Sequence, residues 1–163
     1  MKLTQYSDLG LRLLMYLAHR YGEPVTIQEA CDRFAVSKNH MVKISHQLTR
    51  EGLILSTRGR NGGVRLARLP ETITVEDALR ATEDNFELVE CFNAAQSRCV
   101  ISGDCNLSGV LDAALGAFFS VLRQTSLADL VVNGNALEKA LLPQTVKISI
   151  TPRARVKPAP GEK

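Results

Sequence analysis

The sequence has no tryptophan, and aromatic residues make up only 5% of it. Single-strand nucleic-acid binders stack bases on aromatic platforms, so composition argues against that class. No run of about 18 apolar residues occurs, which excludes a membrane-spanning helix. The N-terminal apolar stretch is interrupted by Asp8, Arg12, His19 and Arg20 and does not read as a secretory signal. The expected location is therefore the cytoplasm, where cysteines serve as ligands, reactive thiols or core filler more often than as disulfides. Histidine is scarce as well: His19, His40 and His46 are the whole set, all in the first 50 residues. With no closely spaced cysteine pair either, the pattern argues against a structural zinc site. No nucleophile–base pair, phosphate loop or paired carboxylates point to an enzyme.

What is present is one domain's worth of globular chain plus a tail: 163 residues, 45% apolar and 23% charged. The net charge of +3 conceals a strong asymmetry. Residues 1–70 carry eleven Lys/Arg against five Asp/Glu, and residues 71–142 carry four against eleven. Residues 143–163 carry five against one. A basic head joined to an acidic middle suggests a polyanion-binding module attached to something else.

Apolar residues at Leu3, Tyr6, Leu9, Leu13, Tyr16 and Leu17 have helical spacing, with Thr4 as a candidate N-cap, over residues 3–21. Thr26-Ile-Gln-Glu29 has capping-box form and opens a second helix to about Phe34. Ser37 caps a third from Lys38 to about Glu51, stopped by Gly52. Strands are expected at Leu53–Thr57 and Val64–Ala67, joined by the glycine-rich tip Arg58-Gly-Arg-Asn-Gly-Gly63. Thr74 starts a fourth helix to about Thr82, residues 83–106 read as loop, and a long helix spans about Leu107 to Gln124. Short helical pieces follow at 126–132 and 135–142, then a proline-rich basic tail expected to be mostly disordered.

Helix, helix, helix and hairpin is the order of a mainly α winged helix-turn-helix. At about 100° per residue, Asn39, Lys43, His46 and Arg50 fall within about 60° of one another, opposite Met41, Ile44 and Leu48. The first residues of such a helix, Ser37, Lys38, Asn39 and His40, enter the major groove first, and Asn39 can pair with adenine. Lys43 and Arg50 suit phosphates. A solvated amphipathic helix would show the same polar face. The hairpin favours DNA, because Arg58, Arg60, Asn61 and Arg65 surround glycines that permit close approach to a minor groove.

Cys91, Cys99 and Cys105 lie in the acidic half at wide gaps. Three thiolates on one loop with a fourth ligand from elsewhere suit an iron–sulfur cluster, while reactive or simply buried cysteines fit the spacing equally well. Cys31 reads as core filler. The long helix is apolar over about half its circumference, more than its own core needs, so Leu115 and Phe119 on one flank are expected to meet a symmetry mate.

The segments LTQYSDLGLRLLMYLA, VSKNHMVKISHQL, RGRNGGVRLA and CVISGDCNL, within residues 1–142, resemble the iron–sulfur winged-helix regulators, and among them the NsrR type of nitric-oxide-sensitive repressor. The resemblance implies a cytoplasmic homodimer on pseudo-palindromic operator DNA, with a 4Fe-4S cluster (2Fe-2S as the alternative) in each subunit. It implies Cys91, Cys99 and Cys105 as ligands, with Asp8 supplied from the partner subunit. Without the resemblance, Asp8 reads as an exposed partner of Arg12 one turn on. A related type uses a histidine shortly after the third cysteine, where this chain has Asn106-Leu107-Ser108. The seven-residue gap from Phe92 to Arg98 is slightly longer than the family's usual one.

The expected organisation is a winged helix-turn-helix over 1–82, a cluster-binding loop over 83–106, a dimerisation helix with short helices over 107–142, and a tail over 143–163. The expected function is a repressor that leaves its operator when nitric oxide attacks the cluster. An iron–sulfur or oxidant-sensing regulator of the same fold, or an electron-transfer protein, are the alternatives.

Overall fold

The computed structural model describes residues 2–59, 62–93, 95, 97–101 and 105–131. The expected helical piece at 135–142 and the tail at 143–163 lie outside them. The first helix, α1 (Gln5–His19), starts where Thr4 accepts a hydrogen bond from the Ser7 amide, and ends before a turn at Gly22, whose φ of 89° suits glycine. It buries Leu9, Leu13, Leu14, Tyr16 and Leu17 at helical spacing. Helix α2 (Ile27–Phe34) is capped by Thr26, and α3 (Lys38–Arg50) by Ser37. Between them Ala35 takes the left-handed conformation with φ of 52°, which turns the chain from one helix into the next.

Strands β1 (Ile54–Thr57) and β2 (Gly63–Leu66) form an antiparallel hairpin, in register Ile54 with Leu66 and Leu55 with Arg65. Val25, on the connection from α1 to α2, bridges to Val64 through two backbone hydrogen bonds of 2.9 and 2.8 Å. The hairpin is thereby stitched to the helices. A side chain at Gly63 would begin 2.6 Å from the Val25 carbonyl oxygen, so only glycine permits this approach.

Helix α4 (Val75–Thr82) opens with a complete capping box between Thr74 and Asp77. It packs across α1 and α3. The segment that follows is irregular apart from a 3-10 turn at Glu90–Phe92. Helix α5 (Asn106–Arg123) is followed by α6 (Leu127–Val131), whose Leu127 is fully buried. The core is one cluster around α1, with Met41, Ile44 and Leu48 of α3, Ile54 and Val64 of the hairpin, Ala78 and Ala81 of α4, and Leu127.

The architecture is the expected mainly α winged helix with a two-stranded wing and a long helix after it. One packing expectation is corrected. Phe119 is buried within its own chain, edge-on to Phe86 with ring centroids 4.8 Å apart, and so does not await a symmetry mate. The irregular 83–88 segment, which has no periodicity, folds back to cover it. Among the described residues no helix is long and apolar enough to cross a membrane.

Candidate DNA-reading face and cysteine loop

Helix α3 divides as its periodicity requires. Met41, Ile44 and Leu48 are completely buried, whereas Lys38, Asn39, His40, Lys43, His46 and Arg50 are exposed. Ser37 is exposed too, but its hydroxyl accepts the His40 amide at 3.4 Å as the helix cap. Its first duty is therefore to α3. Arg50 donates to Gln47 Oε1 at 2.5 Å and lies 3.5 Å from a Glu51 carboxylate oxygen, which holds its guanidinium at the C-terminal end of the helix.

Wing residues Arg58 and Arg65 are exposed. Arg65 stands directly across from exposed Leu55, so both leave the same face of the hairpin. Gly59, with φ of 109°, accepts the Gly62 amide at 3.0 Å across the tip. Arg60 and Asn61 lie outside the described residues. The described donors form two exposed sets, one on α3 and one on the wing, on elements held by a common core.

Sequence reasoning missed one residue of this site. The Tyr6 hydroxyl on α1 donates to the Lys43 carbonyl oxygen at 3.0 Å, pinning the middle of α3. Its ring sits on the apolar stripe, which is what periodicity shows; its polar partner lies 37 residues away, and no local pattern reveals it.

All four cysteines are free thiols. Cys31 is buried on α2, as expected of core filler, and burial raises its thiol pKa. Cys91 sits in the 3-10 turn with its Sγ 3.8 Å from the Ser108 hydroxyl. Cys105 occupies the N-cap of α5, and Cys99 lies between them with its amide donating to Ser97 Oγ at 3.4 Å. Cys91 and Cys105 are thus both brought to the first turn of α5. All three side chains are partly exposed. The donor set, three soft thiols free of disulfides, fits an iron–sulfur cluster. Among the described residues, however, no group of three or more His, Cys, Asp or Glu is gathered closely enough to hold a metal ion.

Asp8 is on the exposed side of α1, where both carboxylate oxygens engage Arg12, at 3.1 Å to Nε and 2.8 Å to Nη2. Among the described residues it joins no group of three or more potential metal ligands with the cysteines of its own chain.

A family model described as Rrf2, iron-dependent transcriptional regulator, matches residues 3–133. The chain belongs to the Rrf2 family. It is a DNA-binding transcriptional regulator and not an enzyme. It is 43% identical over 142 residues to the HTH-type transcriptional regulator NsrR of Bacillus licheniformis, covering 86% of this chain and 99% of that protein. It is 45% identical over 143 residues to NsrR of Shouchella clausii, covering 87% and 95%. Its fold is similar to that of CymR, the global cysteine regulator of B. subtilis, with a TM-score of 0.61, 25% identity, and 80% and 95% coverage. Regulators of different names therefore share this fold, and the signal follows from the site rather than from the fold.

Proposed function

We propose that this chain is a nitric-oxide-responsive repressor of the NsrR type, a cytoplasmic homodimer on pseudo-palindromic operator DNA. Cys91, Cys99 and Cys105 would hold a 4Fe-4S cluster, closed by the partner subunit's Asp8. The observation that carries the reading is the convergence of Cys91 and Cys105 on the first turn of α5, in a chain with full-length NsrR relatives.

The exposed face of α5 supports the dimer. Of its 18 residues only Phe119 is buried, and Leu107, Val110 and Val121 are 61%, 64% and 65% exposed. Apolar side chains in such a row suit a second copy of the same helix. A two-fold dimer then sets its reading helices about 34–36 Å apart, one turn of DNA.

The coupling from signal to DNA runs along α1. Asp8 is two residues from Tyr6, and Tyr6 holds the Lys43 carbonyl of α3. Tying Asp8 to the other protomer therefore also fixes where α3 stands relative to the two-fold axis. When bound, the cluster supplies iron that reacts with nitric oxide. Once Asp8 is untied, it returns to its bidentate pair with Arg12, and α1 and α3 lose their tether to the other protomer. Each head still fits a half-site, but the pair no longer matches the operator.

The test is operator binding by anaerobically reconstituted protein during titration with nitric oxide. The expected result is tight binding that is lost as the cluster absorbance changes, with Asp8→Ala retaining the cluster poorly. Operator affinity unchanged across the titration would overturn the reading.

A further inference from the structure

The described hydrogen bonds between α5 and the reading head gather at the C-terminal end of the helix. The join is built around Glu76, a carboxylate on α4 that is 6% exposed. Glu76 accepts Arg80 Nε at 2.8 Å from its own helix, and Arg123 Nε at 2.7 Å and Nη2 at 3.0 Å from the last turn of α5. The Arg80 guanidinium lies 4.2 Å from the ring centroid of Phe119, the one buried side chain of α5. One buried charge therefore orients two arginines, of which one grips α5 directly and the other through an aromatic face. Immediately beyond, the Val75 amide donates to the Thr125 carbonyl at 2.9 Å and the Leu127 amide to the Ile73 carbonyl at 2.8 Å. The backbone at this end of α5 is thus tied to the start of α4, while the opposite end projects with exposed apolar residues.

We propose that Glu76 and Arg123 set the angle between α5 and the reading head, and so determine which half-site spacing the regulator accepts. This rests on the dimeric reading above, because spacing has meaning only for two heads joined through α5. Glu76 and Arg123 are positioning residues; the DNA contacts belong to α3 and the wing. From Arg123 to Asn106 the helix is about 25 Å long at about 1.5 Å per residue. A tilt of about 10° at the join displaces the far end by roughly 4 Å, which exceeds the rise of about 3.4 Å per base pair. An ion pair with fixed bidentate geometry resists such a tilt, whereas apolar packing alone permits sliding.

The substitutions that test this are mild. Glu76→Gln keeps the shape and leaves two arginines that are 53% and 67% exposed and can rehydrate. Arg123→Gln changes a solvent-facing side chain and leaves the core intact, so it serves if Glu76→Gln fails to give a cooperative thermal melt. The full chain, loaded with iron and sulfide under anaerobic conditions, is used to select binders from a pool of random 40-base-pair duplexes (about four helical turns).

Wild type is expected to return two inverted half-sites at a single separation. Glu76→Gln and Arg123→Gln are expected to return the same half-site with separations spread over neighbouring lengths. Discrimination between the preferred spacing and one base pair more should fall about tenfold, within the range of couplings such networks carry. The double variant should be no broader than either single one. A purely stabilising role would lower affinity at every spacing alike, so variants that return the wild-type separation overturn the proposal. Wild type returning no paired half-sites would instead overturn the dimeric reading, and the spacing role with it.

Discussion

Ala35 holds the turn of the helix-turn-helix with a left-handed backbone, φ 52°, where an L side chain costs about 1–2 kcal/mol. Ala35→Gly removes that cost but adds about 0.4–1 kcal/mol of unfolded-state entropy. The expected net effect is stabilisation by about 0.5–1 kcal/mol, read as a raised urea midpoint with unchanged slope. Glu76 gives a pH signature. Hydrogen bonds from Arg123 and then Arg80 lower its carboxyl pKa from 4.5 to about 2. A carboxyl depressed in the folded state stabilises fully above its unfolded value and loses that contribution as pH falls through the folded value. The stability advantage of wild type over Glu76→Gln should therefore be constant near neutrality and shrink between about pH 4.5 and 2, as melting temperatures across that range will show. An advantage that persists unchanged at pH 2 would contradict the buried pairing.

At the scale of elements, the proposed interface divides recognition between α3 and the wing. Asn39→Ala should relax preference at one base pair, a loss of about 1–3 kcal/mol confined to the cognate base. Arg65→Ala should weaken binding to all sequences and lower the slope of log affinity against log salt by about 0.9 if one phosphate contact is lost. Fluorescence anisotropy on cognate and altered duplexes over a salt series separates the two. These elements were legible because their signals are local. Thr4, Thr26, Ser37 and Thr74 each reach an amide three residues on, so the caps can be read from adjacent letters. Met41, Ile44 and Leu48 mark the buried side of α3 by spacing alone. The pairings that connect elements were not legible. Glu76 meets Arg123 across 47 residues, and Tyr6 meets Lys43 across 37, with nothing in either neighbourhood to name the partner. Phe119 reads as a dimer contact for the same reason: its position on an apolar stripe does not say that Phe86 covers it. The cysteines leave both their chemistry and their arrangement open, because residues 83–105 lack any period that would fix it.

The whole molecule is a basic reading head whose α1, α3 and α4 share one core, with α5 extending from it and presenting apolar residues outward. Two long-range ties reach that head: Tyr6 links α1 to α3, and Glu76 links α4 to α5. In the proposed switch, an event at Asp8 or along α5 would reach the reading helix through packed elements. In the proposed switch, a carboxylate of one protomer completes the thiolate site of the other and so holds both heads in register. Co-expression of two differently tagged chains, one Asp8→Ala and one Cys99→Ala, tests it most directly. The heterodimer contains one site with three cysteines of one protomer and the partner's Asp8, and one site lacking both Cys99 and the partner's Asp8. Iron that survives anaerobic gel filtration should equal half the wild-type content, and should exceed that of both parent homodimers. Heterodimers that hold no more iron than the Asp8→Ala homodimer would contradict the claim.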